Sequence, residues 1–189
     1  MPTQIMPEND MRQLIAALHY AALQHRNQRR KDVDQSPYIN HPISLLHILA
    51  VEAGVQDVEV LCAATLHDVI EDCAETPAER EQRAREIETL FGAQVRRIVE
   101  EVTDDKDQSQ AERKQQQIDH GPQLSEQAKL VKLADKITNL RDVAHQPPQG
   151  WSDERRREYF EWARAVIDAM GATHAKLHAL FEQAYAGKP

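Results

Sequence analysis

The chain has 189 residues, enough for one domain with a sizeable core. Charged residues make up 29% and the net charge is −8, which excludes a general nucleic-acid-binding surface and requires any anionic ligand to meet a local basic cluster. Cys62 and Cys73 stand in neither metal nor redox spacing, the N-terminus has no secretory pattern and no apolar run is long enough to span a bilayer, so the sequence predicts a soluble, cytoplasmic protein without a membrane partner.

Every patterned segment reads as helix, and no alternating strand pattern of useful length occurs. Asn9 or Asp10 is expected to cap a first helix with Leu14, Leu18, Ala21, Ala22 and His25 on one face, followed by a polar loop over residues 29–37. Pro42 suits the first turn of a second helix, which places His41 near its N-cap. Ile43, Leu46, Leu49 and Ala50 are expected to face inward there, and Gly54 to end it. Asp57 caps a third helix predicted to run unbroken to Asp72.

Thr76, Pro77 and Glu79 form a capping box for a strongly charged, largely solvated helix to Phe91, closed by Gly92. Val95, Ile98, Val99 and Val102 mark the buried face of the next helix, residues 104–108 break it, and Ser109 with Glu112 opens another. Ser125 caps a helix to about Ala144, apolar through Leu130, Leu133, Ile137 and Leu140, with a polar stripe of Lys132, Asp135, Asn139 and Asp142. Ser152 caps a helix that Gly171 interrupts, before a last helix with Leu177, Leu180 and Phe181. An apolar patch on these last two helices would suit a homodimer. With no repeat or linker, the expectation is one all-α domain over residues 1–189, a compact bundle of about eight to ten helices.

The chemistry concentrates at the end of the stretch Leu61-Cys-Ala-Ala-Thr-Leu-His-Asp-Val-Ile-Glu-Asp72. At about 100° per residue, His67, Asp68, Glu71 and Asp72 fall within an arc of about 140°, away from Cys62, Ala63, Leu66 and Ile70. Three carboxylates on one face repel one another, and a bound cation is the simplest compensation; the alternative is a solvated acidic helix end. His41, near a helix start, and Asp135, on a polar stripe, are further candidate ligands, although spacing alone does not single out Asp135. Two imidazoles with two carboxylates suit a divalent ion, Mn²⁺ first, with Fe²⁺ or Zn²⁺ also fitting. His47 is expected to pack or face solvent, and Trp151, Phe160 and Trp162 to join the core.

His41, His67-Asp68 and Asp135, in that order, resemble the H…HD…D signature of HD-domain phosphohydrolases. Arg30-Lys31-Asp32, Pro37-Tyr38-Ile39-Asn40-His41-Pro42, Leu66-His67-Asp68-Val69-Ile70-Glu71-Asp72, Phe91-Gly92-Ala93-Gln94-Val95 and Lys132-Leu133-Ala134-Asp135-Lys136 are similar to the RelA/SpoT hydrolase domain. Glu101-Val102-Thr103-Asp104-Asp105-Lys106, Gly150-Trp151-Ser152 and Glu158-Tyr159-Phe160-Glu161-Trp162 resemble the stand-alone small alarmone hydrolases, over roughly residues 16–169. The resemblance implies that His41, His67, Asp68 and Asp135 hold the metal and that Glu71 and Asp72 position or deprotonate the attacking water. It also implies that Arg29, Arg30 and Lys31 approach base and phosphates, that Asn139 touches the nucleotide, and that Arg155 and Tyr159 line phosphate and ribose.

The implied reaction is metal-dependent removal of pyrophosphate from the 3′ position of guanosine tetra- or pentaphosphate. General chemistry agrees: phosphoester hydrolysis needs an electrophile and an activated water, and Glu71 lies one turn beyond His67 to take that water's proton. Asp72 could orient the water or protonate the leaving 3′ oxygen, and the division of roles stays open. No synthetase-like segment follows, so synthesis is not expected. The alternatives are adenosine alarmones, the 2′-phosphate of NADPH, or a non-catalytic alarmone sensor, whose mark would be loss of a ligand or of the acidic pair. Two departures from the resemblance stand out. The charged segment between Asp72 and Phe91 is longer by roughly two helical turns, and Gln110 stands where a phosphate-facing lysine is expected.

Overall fold

A computed structural model describes residues 8–189. Among the described residues there are ten α-helices and no strand, the single backbone bridge joining Arg29 to Pro37 across the loop after the first helix. No helix among them is long and apolar enough to cross a membrane.

The organising element is α3 (Val58–Leu66), in which every side chain from Val60 to Leu66 is buried. A helix apolar on all sides is stable only when surrounded, and α3 packs against α1 (Glu8–Gln24), α2 (Asn40–His47), α6 (Ala93–Val102) and α8 (Glu126–His145). Each fully buried Leu or Val contributes roughly 1.5–3 kcal/mol. Asp57 caps α3 by accepting the Glu59 and Val60 amides.

α1 already includes Asn9 and Asp10, so neither is a cap; Glu8 and Asp10 instead place negative charge in its first turn. Its inward face is Ala17 and Ala21, with Leu14 packed beside them and His25 buried in the turn just beyond its end, while Ala22 is exposed. The small alanines let α1 lie close on α3. After α2 the chain passes into a π-helical turn (Ile48–Ala53), which shifts the register. Leu45, Ile48, Leu49 and Ala53 therefore face the core, and Ile43, expected inside, is 46% exposed. Gly54, at φ 78°, reverses the chain in a conformation that suits glycine.

The predicted unbroken third helix is also corrected. It pauses at His67 and Asp68, where Asp68 has φ −97° and ψ −1°, and resumes as the single turn α4 (Val69–Asp72). The Thr76 capping box with Glu79 opens α5 (Pro77–Phe91), which buries only Ala84, Ile87 and Phe91. α6 buries Val95, Ile98, Val99 and Val102 as its pattern predicts. A second capping box, Ser109 with Glu112, opens α7 (Gln110–His120), which has no buried residue. α8, capped by Ser125, runs through the core and buries Lys132 and Lys136 along with its apolar side. Ser152 caps α9 (Asp153–Met170), and His174 caps α10 (Ala175–Tyr185). The apolar patch expected on these two helices is absent: Phe160, Val166, Ile167, Leu177 and Phe181 are all buried, and the exposed large hydrophobics among the described residues lie elsewhere.

Candidate functional site

His41 in the first turn of α2, His67 and Asp68 at the α3–α4 break, and Asp135 on α8 meet at the end of α3. One donor atom from each of His41, His67 and Asp135 lies within 4.8 Å of the others. Asp68 Oδ2 is 2.8 Å from His67 Nε2 and 3.9 Å from His41 Nε2, and Asp135 Oδ1 is 3.3 Å from His41 Nε2. The imidazoles are only 4% and 6% exposed. His67 Nδ1 lies 2.8 Å from the Ala64 carbonyl oxygen, which accepts its hydrogen bond and turns Nε2 towards Asp68.

Two atoms here, His41 Nδ1 and His67 Nε2, are buried without a hydrogen-bond partner, since the close approach of His67 to Asp68 lacks hydrogen-bond alignment. Buried polar atoms are rarely left so. His67 Nε2 stands unpaired beside Asp68, and His41 turns its other nitrogen, Nε2, to Asp68 and Asp135, so the imidazole nitrogens and carboxylate oxygens that face one another form a donor set that fits a divalent cation. The carboxylates are braced from outside the cluster. Tyr38 donates its hydroxyl to Asp68, and Asn139 Nδ2 donates to Asp135 Oδ1 at 2.6 Å. Burial alone would lower the His67 pKa, but the Asp68 carboxylate outweighs it and holds the ring up at about 9. Burial would raise Asp135, yet the Lys136 ammonium and His41 hold its carboxyl well below the usual range.

As consecutive residues of the single turn α4, the two neighbouring acids point to different places. Glu71 Oε2 accepts the Asp104 amide at 3.1 Å, and Oε1 lies 4.0 Å from Arg113 Nη1. Burial, with repulsion from Asp68 and Asp104, pushes the Glu71 carboxyl up to about 7. Asp72 Oδ2 accepts from Gln28 Nε2 at 2.8 Å, and Oδ1 accepts from the Lys106 ammonium.

Two cavities flank the cluster, one of about 380 Å³ holding Asp72 and the other of about 350 Å³ holding His67, Asp68, Glu71 and Asp135. Lys31, Tyr38, His41, Asn139 and Tyr159 line both, so the candidate ligands sit at the junction. Arg29, Arg30 and Lys31 line the first cavity, with Arg30 paired to Asp142. Arg155 is not brought in: it is exposed on α9, its guanidinium 4.6 Å above the Trp151 ring, outside both walls. His47 is surface-placed, 3.4 Å from Glu52.

The sequence left other residues of the site without a role. Trp151 lines the first cavity and Trp162 the second, whereas Phe160 alone of the three is core. Arg113, Lys114, Lys132 and Lys136 line the second cavity beside Gln110, and Lys136 Nζ lies 4.3 Å above the Trp162 ring. Lysines 132 and 136 stand one turn apart around Asp135, a spacing that could have flagged them. His25, 2% exposed, holds Gln28 by a 2.6 Å contact and so braces Asp72 at one remove.

The HD domain family model matches residues 17–161. Guanosine-3′,5′-bis(diphosphate) 3′-pyrophosphohydrolase MESH1 of Homo sapiens is 52% identical over 165 residues, 87% of this chain and 88% of the relative. The Mus musculus protein of that name is 50% identical over 173 residues, 92% and 93% of the two chains. A solved structure, described with the words "a metazoan ortholog of SpoT hydrolyzes ppGpp and plays a role in starvation responses", matches with a TM-score of 0.84 and 44% identity, covering 92% of this chain and 94% of that chain. With motifs, fold and relatives in agreement, the chain belongs to the HD-domain family, in the group that contains the MESH1 proteins.

Proposed function

We infer that this chain is a metal-dependent 3′-pyrophosphohydrolase that converts guanosine tetra- or pentaphosphate to GDP or GTP and pyrophosphate. The observation that carries the reading is the buried His41, His67 and Asp135 cluster at the junction of two cavities, with an acid held near neutrality at its edge. The names borne by its half-identical relatives support the same reaction.

In this reading His41, His67, Asp68 and Asp135 hold one divalent cation, Mn²⁺ by the hardness of a set with two carboxylates. When bound, the cation supplies Lewis-acid neutralisation of phosphate charge and lowers the pKa of water. Glu71, with a pKa of about 7, takes the proton of the water that attacks the 3′ phosphorus. The bond between that phosphorus and the 3′ oxygen breaks, and Asp72 orients the water or returns a proton to the leaving oxygen. The first cavity takes the nucleoside, with Arg29, Arg30 and Lys31 on its phosphates or stacked on the base, and Tyr159 beside the ribose. Arg113, Lys114 and Lys136 supply the second cavity with the positive charge that the departing pyrophosphate needs.

Purified protein with Mn²⁺ and guanosine tetraphosphate should release pyrophosphate and GDP in a chromatographic assay, and EDTA should stop it. Binding without turnover, across Mn²⁺, Fe²⁺ and Zn²⁺, would mark a sensor instead. The adenosine alarmone and NADPH in the same assay rank the substrates.

A further inference from the structure

Both acids of the proposed site depend on one stretch of chain, the turn over residues 104–108 between α6 and α7. The Asp104 amide donates to Glu71, and the Lys106 ammonium donates to Asp72. The turn is pinned from the core side, where Lys132 Nζ donates to the Val102 carbonyl at 2.9 Å and Gln117 donates to Asp104 Oδ2 at 2.5 Å. It is pinned from outside by α5, the charged helix to which the sequence assigns no task. Arg80 Nη2 lies 3.0 and 3.1 Å from the two carboxylate oxygens of Asp107, and Arg80 Nη1 lies 3.5 Å from Asp105 Oδ1. The arginine side chain is 19% exposed, against 48% for Asp105 and 69% for Asp107, so the fixed partner is the one on the helix.

We propose that Arg80 is a positioning residue for the reaction: by clamping Asp105 and Asp107 it holds the 104–108 turn, and the turn holds Glu71 and Asp72. The proposal rests on the hydrolase reading above. A lone exposed ion pair is weak, but a planar fork engaging two carboxylates fixes direction as well as distance. Without it the turn moves its Asp104 amide and Lys106 ammonium away from the acids. Small misplacements of catalytic groups cost up to about a hundredfold in rate, and partial release of one turn corresponds to about tenfold.

The test is steady-state hydrolysis of guanosine tetraphosphate with Mn²⁺ by the parental chain, Arg80→Gln, Arg80→Lys, Asp107→Asn and the double variant Arg80→Gln/Asp107→Asn. Arg80→Gln should lower kcat about tenfold, with KM, bound manganese and melting temperature close to parental, and Arg80→Lys should recover part of the loss. The double variant should be no slower than Arg80→Gln alone, because both changes open the same clamp. In a Glu71→Gln background the Arg80→Gln loss should shrink, since the acid it positions is gone. Parental kcat in Arg80→Gln, or a loss that follows falling metal content or melting temperature, overturns the proposal. Should Arg80→Gln fail to fold, Asp107→Asn at the exposed end gives the same reading. A parental chain that turns over no alarmone overturns the hydrolase reading and this proposal with it, whereas parental turnover with an unaffected Arg80→Gln overturns this proposal alone.

Discussion

Glu71 is the carboxyl whose surroundings best match the work of a general base. Its protonated form cannot accept a proton, so kcat/KM should rise with pH through an acid limb at or below about 7, the cation drawing the value down from where burial puts it. Glu71→Gln should remove that limb and lower kcat by about 10²–10⁴-fold, with bound metal unchanged by elemental analysis. An intact limb in that variant assigns the base elsewhere. Asp68→Ala removes a proposed ligand and leaves His67 without its ionic partner, so metal and activity should be lost together, read by metal content beside turnover. The residue types of this centre are legible in sequence because ligand chemistry restricts them to His and Asp. The bracing contacts are not: Tyr38 on Asp68, Asn139 on Asp135 and Lys106 on Asp72 depend on where side-chain ends meet across separate elements.

At the scale of elements, the site hangs on α3, whose buried length carries His67 and Asp68 at its C-terminal end. Leu61→Ala, at a position with 0% exposure, should cost about 2–5 kcal/mol in denaturant unfolding by loss of burial plus a cavity. A cost below 1 kcal/mol would place the core elsewhere. Helix starts at Asp57, Thr76, Ser109, Ser125 and Ser152 are readable because a cap is local chemistry, a side-chain oxygen meeting an amide two or three residues on. The π-helical turn after α2 and the pause at Asp68 leave no such mark. They arise from packing; the first changes which residues face inward after α2, and the second sets α4, with Glu71 and Asp72, apart from α3.

For the whole molecule, a chain of net charge −8 gathers basic side chains along the walls of two adjoining cavities. Attraction between those groups and a polyphosphate is screened by salt, so KM for guanosine tetraphosphate should rise with ionic strength in steady-state assays while kcat changes less. A KM independent of salt would argue against phosphate capture by this basic lining. The all-α class follows from helical periodicity in every segment, whereas the expected outer patch on α9 and α10 fails because both helices turn their apolar faces to the core. Convergence of His41, His67 and Asp135 from three separate stretches of the chain is a property of the tertiary packing, which the motif order alone implies only through resemblance.

Anomalous diffraction at the manganese edge, from crystals grown with Mn²⁺, addresses that convergence directly. One peak within bonding distance of His41, His67, Asp68 and Asp135 is the expected result, with Glu71 and Asp72 near it but not coordinating. No peak there, or a peak that leaves out Asp135 or His41, would contradict the centre described here.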